Sequence, residues 1–136
     1  MQINSCKEEV NSSIQEVFNF LLDTRNFYNL LPNDKISNWE ADEKYCSFKV
    51  QGGFVISFEQ ISFVEPKLIV LKSGKKAPFP FQILIHLKET ENGTEGYFEF
   101  NGEISLFLKI MVEQPLKNLF DHMAKEMKTI FSKKEN

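Results

Sequence analysis

Residues 105–131 read SLFLKIMVEQPLKNLFDHMAKEMKTIF, and the spacing of apolar positions in that stretch decides the fold class. Leu108, Met111, Val112, Leu116, Leu119, Phe120, Met123, Met127 and Ile130 recur at helical spacing and form one stripe, while Lys117, Asp121, His122, Lys125 and Lys128 fall elsewhere. Such a helix needs an apolar surface to lie on. Pro115 falls inside the stripe, lacks the amide that would bond the Met111 carbonyl and crowds the preceding turn, so the helix kinks there or restarts. Ahead of it, 105–112 is apolar on nearly every side, which suits burial or the mouth of a pocket. The methionines of the stripe serve either as core filler or as an adaptable wall for a variable ligand.

The chain before this helix supplies the surface. From Lys35 the apolar period changes to two, and the segments are bounded by turn residues. Residues 35–42 carry Ile36 and Trp39. In 45–51, Cys46, Phe48 and Val50 alternate with Ser47, Lys49 and Gln51, and Gly52-Gly53 signals a hairpin. Phe54, Ile56 and Phe58 share one face, but Ile61 and Phe63 have the other parity, which predicts a bulge near Glu59-Gln60. Pro66 opens a strand over 67–72, turned by Ser73-Gly74-Lys75-Lys76. Phe79, Phe81, Ile83, Ile85 and Leu87 then give the cleanest alternation in the chain. After a turn at Asn92-Gly93, Phe98, Phe100 and Ile104 alternate with Tyr97, Glu99, Asn101 and Glu103. Six hairpin-linked strands with no intervening helix make an antiparallel sheet.

At the other end, 2–10 alternates weakly and reads as a first strand. Asn11-Ser12-Ser13 then supplies helix caps, with Gln15 and Glu16 three residues after Ser12 and Ser13. Ile14, Val17, Phe18, Leu21 and Leu22 mark the buried face. Asp23-Thr24 caps a second, shorter helix that Pro32 ends, so the two form a V. Residues 133–136 read as a frayed tail.

Composition bounds the rest. A chain of 136 residues is expected to form a single domain, with roughly 65 to 70% of its unfolded surface buried. Its 14 Phe must be buried, lie in an exposed patch or line a cavity. A formal charge of -3 removes the basic field of a general nucleic-acid binder. No segment approaches the roughly 18 apolar residues of a membrane-spanning helix, and the first residues lack a secretory pattern. Cys6 and Cys46 are far apart, without metal-ligand spacing. Together these predict a cytoplasmic protein with reduced thiols and no integral membrane segment.

The order of strand, two short helices, six antiparallel strands and long terminal helix resembles the START-like helix-grip fold of the SRPBCC superfamily, an α+β architecture shared by polyketide cyclases and pollen-allergen-type proteins. The residues that carry the resemblance are Val17-Phe18 with Leu21, Asp23, Asn26, Leu30 and Pro32, then Trp39, the Cys46-Ser47-Phe48 strand and the terminal helix. The resemblance implies a curved sheet wrapped on that helix, with a small hydrophobic molecule such as a lipid, sterol, quinone or polyketide held between them. Residues 42–44 contain no glycine, so the phosphate-cradling loop of the pollen-allergen branch is not expected.

The candidate ligand-binding residues are Phe48, Phe58, Phe81, Ile83, Phe98 and Phe100 from the sheet, and Met111, Leu116, Leu119, Phe120 and Met123 from the helix. No catalytic residue, metal ligand or cofactor is assigned. His86 and His122 read as solvent-facing, and no HxxxH, CxxC or Gly-x-Ser-x-Gly element is present. Glu40, Asp42 and Glu43 read as a solvated turn, and Lys75-Lys76 with 77–80 as a basic and apolar loop.

Noncatalytic binding is the leading reading. A cyclase, dehydratase or hydrolase in the same cavity would instead need polar groups converging there, with Ser57, Tyr97 and Asn101 as candidates. A protein-interaction module resembling the chaperone activators would show an apolar patch at Trp39, Tyr45 or Phe63. No oligomeric state follows from the sequence.

Overall fold

In the computed structural model, which describes residues 1–51 and 53–133, eight strands form one antiparallel sheet and the long helix closes the chain. The strands are β1 (Gln2–Asn4), β2 (Glu8–Val10), β3 (Ile36–Ala41), β4 (Tyr45–Val50), β5 (Val55–Val64), β6 (Leu68–Ser73), β7 (Phe81–Thr90) and β8 (Gly93–Gly102). They lie in the order β1-β8-β7-β6-β5-β4-β3, with β2 continuing the β1 edge along β8. The helices are α1 (Ile14–Leu22) and α2 (Leu106–Lys133). This is the expected α+β helix-grip arrangement, curved sheet against terminal helix.

The sheet is bent where the ladder is interrupted. The pairing of β5 with β6 shifts between Gln60 and Ser62, at the parity change seen in the sequence. On β3 the register with β4 shifts between Ser37 and Glu40, and Asn38 there adopts a φ of 56°, a conformation Asn tolerates. The expected first strand is divided in two: Gln2 to Asn4 pair with Asn101 to Glu99, whereas Glu8 to Val10 pair with Gly96 to Thr94, one step out of register. Ser5 fills the break by exchanging bonds with Phe98, its amide donating to the Phe98 carbonyl at 2.8 Å and its Oγ accepting the Phe98 amide at 2.9 Å.

Ser13 caps α1 by accepting the Glu16 amide at 3.2 Å, and Asp23 caps the following 3-10 turn, Thr24–Asn29, by accepting the Arg25 amide at 3.1 Å. Asn26 donates to the Phe20 carbonyl at 2.8 Å, which satisfies the end of α1 and fixes the V. A second 3-10 turn, Asn33–Lys35, follows Pro32 and leads into β3. Of the Gly52-Gly53 turn, Gly52 lies outside the described residues; around it the Val50 amide donates to the Phe54 carbonyl at 3.0 Å. Residues 134–136 of the expected tail also lie outside them.

Ser105 caps α2, accepting the Leu108 amide on its Oγ at 3.2 Å. The helix then runs through Pro115 to Lys133 without a second start, which corrects the alternative of two helices meeting there. Its covered side carries Val112, Leu116, Leu119, Phe120, Met123, Ala124, Met127 and Phe131. Met111 is not among them. It is 58% exposed, beside Leu106 at 73%, Phe107 at 71% and Ile110 at 74%. The expectation of burial or a pocket mouth for 105–112 is corrected accordingly: these two turns are apolar on both sides, and only the side bearing Leu108 and Val112 has protein against it.

Candidate functional site

The concave face of the sheet is built by alternation. Cys46, Phe48, Ile56 and Phe58 pair across β4 and β5, and Ile83, Ile85, Phe98 and Phe100 pair across β7 and β8; all are buried. Their rings form two connected groups. Under the first 3-10 turn, Tyr28, Trp39, Phe48, Phe58 and Phe27 follow one another at centroid spacings of 5.3, 6.1, 6.4 and 5.7 Å. Under α2, Phe120 lies 6.2 Å from Phe98 and 5.8 Å from Phe100, whose ring is 5.0 Å from Phe81. Edge and offset contacts at these distances are favourable in their own right.

Ten of the eleven candidate ligand-binding residues are therefore buried between sheet and α2: Phe48, Phe58, Phe81, Ile83, Phe98, Phe100, Leu116, Leu119, Phe120 and Met123. Met111 points away from them. The aromatic members touch one another ring to ring.

An opening between sheet and helix lies at the β3 edge. A groove of about 290 Å³ is lined by Ile36 and Val50 from the sheet, by Pro115, Asn118, Leu119 and His122 from α2, and by Pro32, Lys35 and Gln51 at its rim. Ile36 and Val50 are a direct cross-strand pair, and the Gln51 amide donates to the Lys35 carbonyl at 2.8 Å, which holds the rim together. Val50 shares its face of β4 with Phe48, so the groove borders the aromatic interior. His122, expected to face solvent, is half-buried in this wall. Sequence reasoning missed Lys35, Gln51 and Asn118, because sequence-distant segments bring them together.

The polar candidates lie on the other face. Tyr97 and Asn101 alternate with Phe98 and Phe100 and so face away from α2, and Ser57 is buried on the outer side of β5, beneath the loop whose Gly74 amide donates to its carbonyl at 2.7 Å. None reaches the space between sheet and helix. On that outer face His86 Nε2 lies 2.8 Å from Glu99 Oε1, and the His86 ring stacks on Tyr97 at 4.7 Å. The Asn101 amide, then His86, hold the Glu99 carboxyl below the usual carboxylate range, against the opposing effect of burial. Burial pushes the Cys46 thiol well up, which suits a core residue rather than a nucleophile.

A second electrostatic feature ties α2 to the sheet edge. The Cys6 amide, released by the break between β1 and β2, donates to Asp121 Oδ1 at 2.7 Å, and Lys117 Nζ donates to both Asp121 oxygens at 2.8 and 2.7 Å. Burial alone would raise the Asp121 carboxyl; the Lys117 and Cys6 bonds outweigh it and hold the group below its ordinary value. Among the described residues no group of three or more His, Cys, Asp or Glu is arranged to hold a metal ion, and no helix is long and apolar enough to cross a membrane.

Trp39 and Tyr45 are half-buried, and Phe63, although 48% exposed, sets its ring against Phe18 at 5.8 Å. The larger exposed apolar surface is the start of α2.

A long terminal helix gripped by a curved antiparallel sheet, with a groove between them, defines the START-like helix-grip class. Solved structures agree with this. The chain aligns along its whole length with all of a protein from Thermus thermophilus (TM-score 0.75, 10% identity). It covers 99% of itself and 96% of a protein from Nitrosomonas europaea (TM-score 0.73, 14% identity). It also matches the di-domain ARO/CYC StfQ from the steffimycin biosynthetic pathway (TM-score 0.76, 8% identity), with 98% of this chain aligned to 51% of that one. No curated protein matches by sequence. Within the class, residues 7–135 match the carbon monoxide dehydrogenase CoxG family, and the chain belongs to that family.

Proposed function

We propose that this protein binds a small hydrophobic molecule between its sheet and α2 without transforming it. The observation that carries the reading is the groove at the β3 edge, whose apolar walls, Ile36, Val50, Pro115 and Leu119, border an interior made of Phe, Ile and Leu. Burial of a ligand's apolar surface there is favourable by about 25 cal/mol per Å². CoxG membership and the likeness to a cyclase fold support the reading. A catalytic role is disfavoured because Ser57, Tyr97 and Asn101 lie on the far side of the sheet.

Leu119→Trp tests the proposal by filling the groove from its α2 wall. Uptake of an environment-sensitive apolar dye, followed by native mass spectrometry, is expected to fall at least about tenfold in the variant while the melting transition is kept. Equal uptake by both proteins would place binding elsewhere, and no uptake by the native protein would remove the function altogether.

A second reading follows from the exposed Leu106, Phe107, Ile110 and Met111, a contiguous apolar surface of the kind that marks a protein interface. It replaces the patch expected at Trp39, Tyr45 and Phe63.

A further inference from the structure

The groove between β3, β4 and α2 has a charge character unlike its surroundings. Its nine lining residues include Lys35 and His122 and no carboxylate, although the protein carries 19 acidic residues against 16 Lys and Arg. Four other surface pockets each include an acid: Glu103 in one, Asp23 and Glu43 in the next, Glu40 in a third and Glu89 in a fourth. Neither the Lys35 ammonium nor the His122 imidazole has a hydrogen bond or an ion pair among the described residues. Several other cations are engaged, Lys117 by Asp121, Lys76 by Glu40, Lys72 by Glu59 and Arg25 by Asp23. The carboxylate beside His122 in sequence, Asp121, is turned to Cys6 and Lys117. Asn118 and Gln51 add amide groups able to donate at the same rim.

From this we infer that the ligand is an amphiphile with an anionic head, carboxylate or phosphate, seated at Lys35 and His122, and with an aliphatic tail on Ile36, Val50 and Leu119. The inference rests on the reading of the groove as a hydrophobic-ligand site. An apolar floor with unpaired donors at one end orients such a molecule head outward, where the charge keeps part of its hydration and the tail gives up its own. Along α2 the apolar surface continues from Pro115 to Met111 and Phe107, one turn apart on the same side, and offers a track for a tail longer than the groove.

The test is isothermal titration of the purified protein with dodecanoate, dodecyl phosphate and dodecanol, which share one tail and differ in the head. At least one anion is expected to bind about tenfold or more tightly than the alcohol, and the preferred anion names the source, fatty acid or phosphate ester. Lys35 is exposed and its replacement leaves the core untouched; Lys35→Ala should bring anion binding down to the level of the alcohol and leave alcohol binding unchanged. Equal affinity for all three, or anion binding unaffected by Lys35→Ala and by His122→Ala, would overturn the anionic head and leave the groove standing as a hydrophobic site. Absence of binding by all three would remove both.

Discussion

The Asp121 carboxylate joins two parts of the chain that nothing in their sequence pairs: it takes up the amide left free between β1 and β2 and holds it against α2. Its folded-state proton affinity is lowered, so its contribution is fully present above the unfolded value of about 4 and is lost as pH falls through the lower folded value. Asp121→Asn should therefore cost about 1 kcal/mol at neutral pH, discounted for the exposure of Lys117, and the difference from the native protein should close on acidification below about 4. Urea melts at a series of pH values would show it; a gap that stays constant with pH would mean the carboxylate is not engaged. Glu99 acts in the same direction on the outer face and titrates in both proteins, so the difference between them isolates Asp121.

At the scale of the element, α2 is two helices in character and one in backbone. Phe120 sits against Phe98 and Phe100, and Phe120→Ala should destabilise by about 3–5 kcal/mol, whereas Phe107→Ala should stay within about 0.5 kcal/mol. Pro115 is exposed and mid-helix, so Pro115→Ala should stabilise by about 1–3 kcal/mol. Chemical denaturation of the three variants checks all these values; a loss of stability in Pro115→Ala would show that the ring packs in a way the groove depends on. Helical periodicity reveals the buried side from Leu116 onward because charged residues mark the opposite side there. Over 106–111 both sides are apolar, and periodicity alone cannot choose between them. That is why Met111 reads as part of the covered stripe in the sequence and stands exposed in the fold.

For the molecule as a whole, the strand order is legible because each turn carries its own residues and each strand alternates cleanly. The bulge at Gln60 shows as a parity change. The break between β1 and β2 leaves no such mark, since Ser5, Cys6 and Lys7 are as compatible with a continuous edge strand as with an interrupted one. The buried candidate residues are readable one by one from alternation. The groove is not, because Lys35, Gln51, Asn118 and His122 belong to segments that only the closed sheet brings together.

The unbroken passage of α2 through Pro115 has a consequence for cooperativity. Pro115 has no amide for the Met111 carbonyl, and the turns before it bury little apolar surface, so they can open without the rest of the helix. Amide hydrogen exchange should show two regimes within one continuous helix. Protons from Leu116 to Phe131 should exchange near the global unfolding limit, and those from Ile110 to Gln114 faster by about two orders of magnitude or more. A single protection level along α2 would mean that its start is held by contacts beyond those of the isolated chain. With two levels, the protein carries beside its groove a helical segment that can rearrange at little cost to the stability of the fold that displays it.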